Sequence, residues 1–435
     1  MVGANGGGAF VLFYLLFLVI MGVPVLSMEF AVGRASRKSP VKAYQELEKP
    51  GQKWHLHGYV ALFGNYMLMM FYTTVAGWML YYFYSFFTGK FEGETTEGVQ
   101  AAFGEMLASP GVNVFWMALV VVIGIFVCSM GLQKGVERIT KTMMIGLLSL
   151  MIILAVRGVT LEGGMDGLKF YLLPDFGKLA GENIRDVIVA VINLIVAAMN
   201  QAFFTLSLGI GAMAIFGSYL EKDHTLLGEA VNVAVLDTFV AIVAGLIIFP
   251  ACFAFGVSPD SGPSLIFITL PNVFLHMIGG RLWGTLFFLF MSFAAFSTVI
   301  AVFENIIACG MELWQIERKK AAWLNVVLII LLSLPCALGY NVLSHIQPLG
   351  AGTQILDLED FIVSNLLLPL GSLVYLVFCT WRCGWGFENY RTEANFGTGL
   401  KVPKWCRVYV TYILPVMIFG LFFQGIWGYL MKLFA

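Results

Sequence analysis

The sequence is poor in charge. Only 12% of its 435 residues are Asp, Glu, Lys or Arg, whereas soluble domains carry about 25%, and 59% are hydrophobic. The formal net charge is -1 and the longest basic run is Arg318-Lys319-Lys320, so nothing indicates a nucleic-acid partner. The seven cysteines have no metal-ligand spacing with histidine, which argues against a zinc site or a disulfide framework. These features predict a polytopic membrane protein.

Catalytic groups are also lacking. The sequence contains no Ser/His/Asp set, no phosphate-binding loop and no cluster of histidines. The five histidines are scattered, and His55 and His57 are interpreted as ordinary loop residues. An enzyme is therefore not expected.

Ten apolar stretches are long enough to cross a bilayer, which takes about 20 residues each. They fall near 10–32, 58–87, 113–130, 135–157, 187–219, 228–256, 282–310, 321–339, 360–381 and 406–431. Most basic residues lie in alternate loops, and the positive-inside rule places these loops in the cytoplasm. The sequence predicts one transmembrane domain over 1–435, with all-α structure, in the plasma (inner) membrane.

The fifth stretch carries polar groups where a plain membrane helix is expected. Residues 200–211 read Asn-Gln-Ala-Phe-Phe-Thr-Leu-Ser-Leu-Gly-Ile-Gly. Backbone that leaves helical geometry inside a bilayer must line a cavity or be buried in protein. A broken helix at this depth indicates a transporter's binding site. The alternative is a continuous helix whose hydroxyls bond to their own backbone and whose glycines allow close packing.

Asp237 lies well inside the sixth stretch. A carboxylate within a span is costly and usually functional, through pairing or cation binding, unless it reaches out from the helix end. Hard cations such as Na⁺ prefer carboxylate, hydroxyl and carbonyl oxygens, and Asp237 and Thr205 suit one if their helices pack together. Ser297 and Thr298 in the seventh stretch could ligate a cation, or bond back to carbonyls one turn earlier.

Three other polar positions have two interpretations each. Glu29, at the end of the first span, either pairs with Arg34 at the membrane interface or accepts N–H groups from an unwound backbone. Tyr72 is either a packing aromatic or a partner for a substrate carboxylate. Asp360 belongs to an acidic group at the start of the ninth span, where such residues favour a helix N-terminus.

The number of spans on each side of the broken stretch is uneven. Transporters with broken helices are commonly inverted repeats, each opening with a broken helix. Four spans precede 187–219, so a five-plus-five arrangement requires another broken helix upstream of Met1, and we expect it to be absent from this sequence. The preferred explanation is a start codon assigned inside a longer gene. The alternative is a real short product, either a non-transporting remnant or an amino-acid sensor.

Six motifs resemble those of the neurotransmitter:sodium symporter family, and together they cover essentially the whole chain. They are Asn5-Gly-Gly-Gly-Ala-Phe10, Met28-Glu-Phe-Ala-Val-Gly-Arg34, Gly131-Leu-Gln-Lys-Gly-Val-Glu-Arg138, Gln201-Ala-Phe-Phe-Thr-Leu-Ser-Leu-Gly209, Phe267-Ile-Thr-Leu-Pro271 and Lys401-Val-Pro403. The resemblance is strongest to bacterial members that transport hydrophobic and aromatic amino acids and end after their eleventh helix.

The resemblance implies symport of a neutral amino acid with Na⁺ by alternating access, in an inverted-repeat fold. The substrate site implied by the resemblance comprises Leu68, Tyr72, Phe204, Ser207, Gly209, Ile210 and Val302. The two implied sodium sites comprise Thr205 and Asp237 in one, and the Ala294 carbonyl, Ser297 and Thr298 in the other. By the same resemblance, the fixed charge of Asp237 makes chloride unnecessary, Glu29 braces the broken segment and Asp360 forms half of an outer gate. The expected partners are the amino acid and the lipid bilayer, with no obligatory protein partner.

Overall fold

The chain is built from membrane-length helices. The computed structural model describes residues 2–179, 184–256 and 264–434, and within them it has ten helices long and apolar enough to cross a membrane and no β-strand beyond two isolated bridges. These helices are α1 (Gly8–Ser36), α2 (His55–Thr88), α3 (Pro110–Ser129), α4 (Gly135–Val159), α5 (Val187–Thr205), α6 (Leu226–Ala254), α7 (Gly280–Trp314), α8 (Arg318–Leu338), α9 (Ile355–Thr380) and α10 (Cys406–Trp427). Each overlaps one predicted span, and the all-α polytopic fold is confirmed.

Two features differ from the sequence-based expectation. The fifth stretch is divided, because α5 ends at Thr205 and a short helix, Ala212–Tyr219, follows the break. The interpretation of His55 and His57 as loop residues is wrong, since both lie in the first turn of α2. His57 is buried among aromatic rings, and this tertiary packing leaves no trace in a hydropathy pattern.

Prolines determine where several of the helices widen. In the described residues, four of the five π-helical turns end two residues before a proline, namely Pro24, Pro271, Pro369 and Pro415. Proline lacks an N–H and its ring clashes with the carbonyl four residues earlier, and a wider turn relieves the clash. In α1 the carbonyl freed in this way, that of Ile20, accepts a hydrogen bond from the Tyr409 hydroxyl at 2.6 Å.

A fully buried arginine joins three segments on the predicted cytoplasmic side. Arg34 at the end of α1 pairs with Glu393 at 2.7 Å and donates to the His224 carbonyl at 2.8 Å. Glu393 belongs to the short helix Phe387–Ala394, and His224 precedes α6. Arg34 therefore does not pair with Glu29, and the interfacial pairing considered for Glu29 is not observed.

A second buried ionic group joins α7 to α8. The side chain of Glu304 is fully buried and pairs with Arg318. The Tyr219 hydroxyl, at the end of Ala212–Tyr219, donates to the same carboxylate at 2.9 Å. Because partnered buried charges need specific geometry, this group fixes the inner end of the divided helix against α7.

Candidate functional site

The break between α5 and Ala212–Tyr219 covers residues 206–211. Ser207 has φ of 50° and Gly209 has φ of 94°. Positive φ is uncommon for residues other than glycine, and such strain is often found at functional sites. The chain therefore leaves helical geometry here, and the alternative of a continuous helix does not apply.

Three neighbouring helices hold the backbone of the break. The Gly209 N–H donates to the Glu29 carboxylate of α1, and the Asn65 amide of α2 donates to the Ile210 carbonyl at 2.6 Å. Gly371 of α9 contacts the break so closely that a methyl group on it would lie 1.9 Å from the Gly209 carbonyl oxygen. Backbone groups freed from a helix need partners, and Glu29 and Asn65 supply two of them.

A cavity of about 770 Å³ adjoins the break, since Ser207 is among its lining residues. Its walls come from α2, α4, α5, α6, α7 and α9 and are mostly apolar, with several methionines. Four residues of the predicted substrate site line it: Leu68, Tyr72, Phe204 and Ser207. Methionine side chains adapt to irregular apolar ligands, so this cavity suits a hydrophobic group.

Oxygen-bearing side chains gather on one wall of this cavity. The Thr205 hydroxyl donates to an Asp237 carboxylate oxygen at 2.7 Å, so α5 and α6 do pack together. Ser297 and Thr298 of α7 line the same cavity. All four residues also line a second cavity of about 170 Å³. A carboxylate with several hydroxyls is a donor set that fits a hard cation such as Na⁺.

The sequence left open whether the Ser297 hydroxyl bonds back to a carbonyl of its own helix or ligates a cation, and the structure shows the first arrangement. The hydroxyl donates to the Ala294 carbonyl at 2.7 Å, one turn earlier in α7. A hydroxyl that donates its hydrogen keeps its oxygen lone pairs available, so this bond does not prevent Ser297 from ligating a cation. Ala294 itself lines the larger cavity.

Several predicted site residues lie away from the larger cavity. Val302 lines only the smaller one. Gly209 and Ile210 line neither cavity. The Ile210 side chain faces α2, where it would collide with a methyl group placed on Gly64. Glu29 lines neither cavity and contacts the break through the Gly209 N–H. Asp360 also lies outside both linings and accepts a hydrogen bond from Ser364 at 2.8 Å.

Two residues at the site were not singled out from the sequence. Gln201 of α5 lines the larger cavity. Tyr14 of α1 is buried, with its hydroxyl beside Thr205 and close to Asp237. Gln201 stood next to the quoted hydroxyls, and its polar character was a usable signal. Nothing in the sequence distinguishes Tyr14 from the other aromatic residues, which make up 15% of the chain.

Comparisons with known proteins agree with this arrangement. The model of the Sodium:neurotransmitter symporter family matches residues 1–102 and 97–434. An uncharacterized sodium-dependent transporter of Bacillus subtilis, YhdH, is 35% identical over 86% of this chain and 80% of its own length. A second, from Haemophilus influenzae, is 31% identical over 98% of this chain and 92% of its own length. The crystal structure of MhsT in complex with L-phenylalanine matches with a TM-score of 0.85 and 36% identity, covering 98% of this chain and 93% of that one. The chain therefore belongs to the sodium:neurotransmitter symporter family and is a sodium-dependent, multi-pass membrane transporter rather than an enzyme.

Proposed function

We propose that this transporter carries neutral hydrophobic or aromatic amino acids across the plasma (inner) membrane together with Na⁺. The observation that carries the proposal is the lining of the larger cavity, in which Asp237 is the one charged side chain among the lining residues. A substrate with a basic or acidic side chain would place a charge without a partner in the apolar part of this cavity, which is strongly unfavourable. Phenylalanine bound to MhsT belongs to the same class of ligand.

Charge balance supports coupling to Na⁺. A substrate carboxylate near Tyr72 and Ser207 would lie in the same cavity as the Asp237 carboxylate, and two anions in a low-dielectric site repel strongly. A cation bound by Thr205 and Asp237 removes this repulsion. Substrate and Na⁺ then increase each other's affinity, as thermodynamic linkage requires.

The second sodium site of the proposal uses the Ala294 carbonyl with Ser297 and Thr298. These groups lie on adjacent turns of α7 and face the same cavity. Since Asp237 already supplies a fixed negative charge, chloride is not needed to balance the bound cations. In this proposal Glu29 braces the break and Asp360 contributes to an outer gate.

The test is uptake of labelled amino acids into proteoliposomes that contain the protein. We expect an inward Na⁺ gradient to drive uptake of phenylalanine, tryptophan, tyrosine, leucine or methionine. Unlabelled lysine and glutamate should not compete. Uptake that continues unchanged when Na⁺ is replaced by choline would contradict the proposal.

Variants connect this activity to the site. Asp237→Ala and Thr298→Ala should abolish uptake, because each removes a proposed cation ligand. The matched control is Asp166→Ala, since Asp166 lies outside the spans with an exposed side chain. It should transport at the unaltered rate.

A further inference from the structure

Five buried polar side chains gather next to the break and outside the linings of both cavities. We call them the inner polar cluster, and they come from α1, the short helix Pro40–Leu47, α2 and α9. The cluster consists of Glu29, Tyr44, His57, Ser372 and Tyr375. His57 is 8% exposed and the other four are fully buried. None of the five lines either cavity.

The members of this cluster lie close together. The rings of Tyr44, His57 and Tyr375 are 5.2 to 5.5 Å apart, centroid to centroid. Both phenols lie within electrostatic reach of the Glu29 carboxylate. A methyl group placed on Gly211 would lie 3.0 Å from the Tyr375 hydroxyl oxygen. The cluster therefore adjoins the same backbone that Glu29 holds.

Each member presents an atom that has no hydrogen-bond partner among the described protein atoms. These atoms are Glu29 Oε2, Tyr44 Oη, His57 Nε2, Ser372 Oγ and Tyr375 Oη. The other oxygen of Glu29, Oε1, is the one that accepts the Gly209 N–H. Most buried polar atoms in proteins have a partner, and one that lacks a protein partner usually bonds to water.

We propose that the inner polar cluster is a hydration site, in which at least one ordered water bridges Glu29 Oε2 to the hydroxyls of Tyr44 and Tyr375. A buried water typically makes about three hydrogen bonds, and these three oxygens supply that number. The carboxylate accepts from the water, and each phenol can donate to it or accept from it.

This water stabilises the contact between Glu29 and the break. Glu29 Oε1 holds the break through the Gly209 N–H, and the water satisfies Oε2. The carboxylate can then remain buried while it keeps its bond to Gly209. The phenols act as positioning residues, because they hold the water and do not contact the substrate cavity.

Hydroxyl-radical footprinting by X-ray radiolysis tests the proposal, because side chains that contact bound water are oxidised even when they are buried. The protein would be irradiated in lipid nanodiscs and oxidation measured by mass spectrometry. Tyr44 and Tyr375 should be oxidised about tenfold faster than Tyr390, if bound water is their hydrogen-bond partner. Tyr390 is the matched control, since it is equally buried but its hydroxyl bonds to Ser27 Oγ at 2.6 Å. Equal rates at all three tyrosines would overturn the proposal.

Variants give a second readout. Tyr375→Phe removes one of the three groups that hold the water, so oxidation of Tyr44 should fall several-fold toward the Tyr390 rate. Ser27→Ala, which alters the control pair, should leave oxidation of Tyr44 unchanged. Undiminished oxidation of Tyr44 in a folded Tyr375→Phe variant would contradict the bridging arrangement.

The proposal can also be separated from the transport activity. Asp237→Ala should lose uptake and retain rapid oxidation of Tyr44 and Tyr375, because Asp237 lines the cavities and the cluster residues do not. Loss of both signals in this variant, with the fold intact, would overturn a hydration site that is independent of the cation site.

Discussion

Replacing Gly371 with alanine should disable transport by displacing the break from α9. An ideal methyl carbon on Gly371 would lie 1.9 Å from the Gly209 carbonyl oxygen and 2.8 Å from the Gly209 Cα. Real Cβ contacts are essentially never closer than 3.0 Å, so the two backbones must separate by at least about 1.1 Å. The atom that must move is backbone, and no flexible side chain can absorb the shift.

This displacement acts on the site because residues 206–211 follow Thr205 directly and include Ser207. A misplacement of about 1 Å in a reacting group can cost roughly 100-fold in rate. We therefore expect the initial rate of Na⁺-driven uptake to fall by about 100-fold. Overpacking of a core costs about 1–3 kcal/mol, so the variant should remain folded with a lower melting temperature.

The assay is initial uptake in proteoliposomes, alongside fluorescence-detected thermal unfolding. Gly420→Ala is the control, because α10 also spans the membrane and a methyl group there would meet no atom within 4 Å. It should match the unaltered protein in both measurements. Normal uptake by Gly371→Ala would show that the position of the break against α9 does not determine transport.

Three further variants test individual contacts. Thr205→Val removes the hydroxyl that is proposed to bind the cation beside Asp237; an oxygen ligand as strong as a hydrogen bond to a charged group contributes about 1.5–3 kcal/mol, so the half-saturating Na⁺ concentration should rise about 10- to 100-fold. Asp237→Asn removes the fixed charge, so any remaining uptake should require chloride and should stop when gluconate replaces it. Glu304→Gln removes the charged partner of Arg318, whose side chain is largely buried. The loss should cost about 3 kcal/mol of folding stability, measured as a fall in melting temperature.

Matched controls accompany these variants. Thr380→Val also removes a buried hydroxyl, but that hydroxyl bonds to a carbonyl of its own helix at 2.7 Å, and the Na⁺ dependence should not change. Lys169→Gln breaks an exposed ion pair with Asp166, which contributes about 0–1 kcal/mol. Unchanged Na⁺ dependence in Thr205→Val would contradict a role for this hydroxyl in cation binding. Chloride-independent uptake by Asp237→Asn would contradict the role of the fixed charge. Equal losses of stability in Glu304→Gln and Lys169→Gln would contradict the importance of the buried ion pair.

The sequence predicted the helices and the break because both depend on local composition. Each span is a long apolar run, and lipid requires such runs to be helical. The break lies within 200–211, where hydroxyls and glycines interrupt the fifth run. Asp237 was identifiable because a carboxylate within a span needs a partner, and that partner proved to be Thr205.

Side-chain direction could not be predicted in the same way. Once the backbone leaves helical geometry, sequence spacing no longer determines which face a residue occupies. Ile210 therefore faces α2 although its neighbour Ser207 lines the cavity. His57 and Tyr14 acquire their surroundings from distant segments, and a single polar or aromatic residue carries no local sign of such contacts.

The contacts at the break connect the proposed cation site to the far end of the divided helix. Thr205 is tied to Asp237 at 2.7 Å before the break, Gly209 is tied to Glu29 within it, and Tyr219 is tied to Glu304 beyond it at 2.9 Å. In the proposed sodium site the cation is bound by Thr205 and Asp237, so it contacts the residue at which α5 ends and the break begins. Glu29 and Gly371 contact the middle of the break, so a continuous path of six backbone residues joins the proposed cation site to α7.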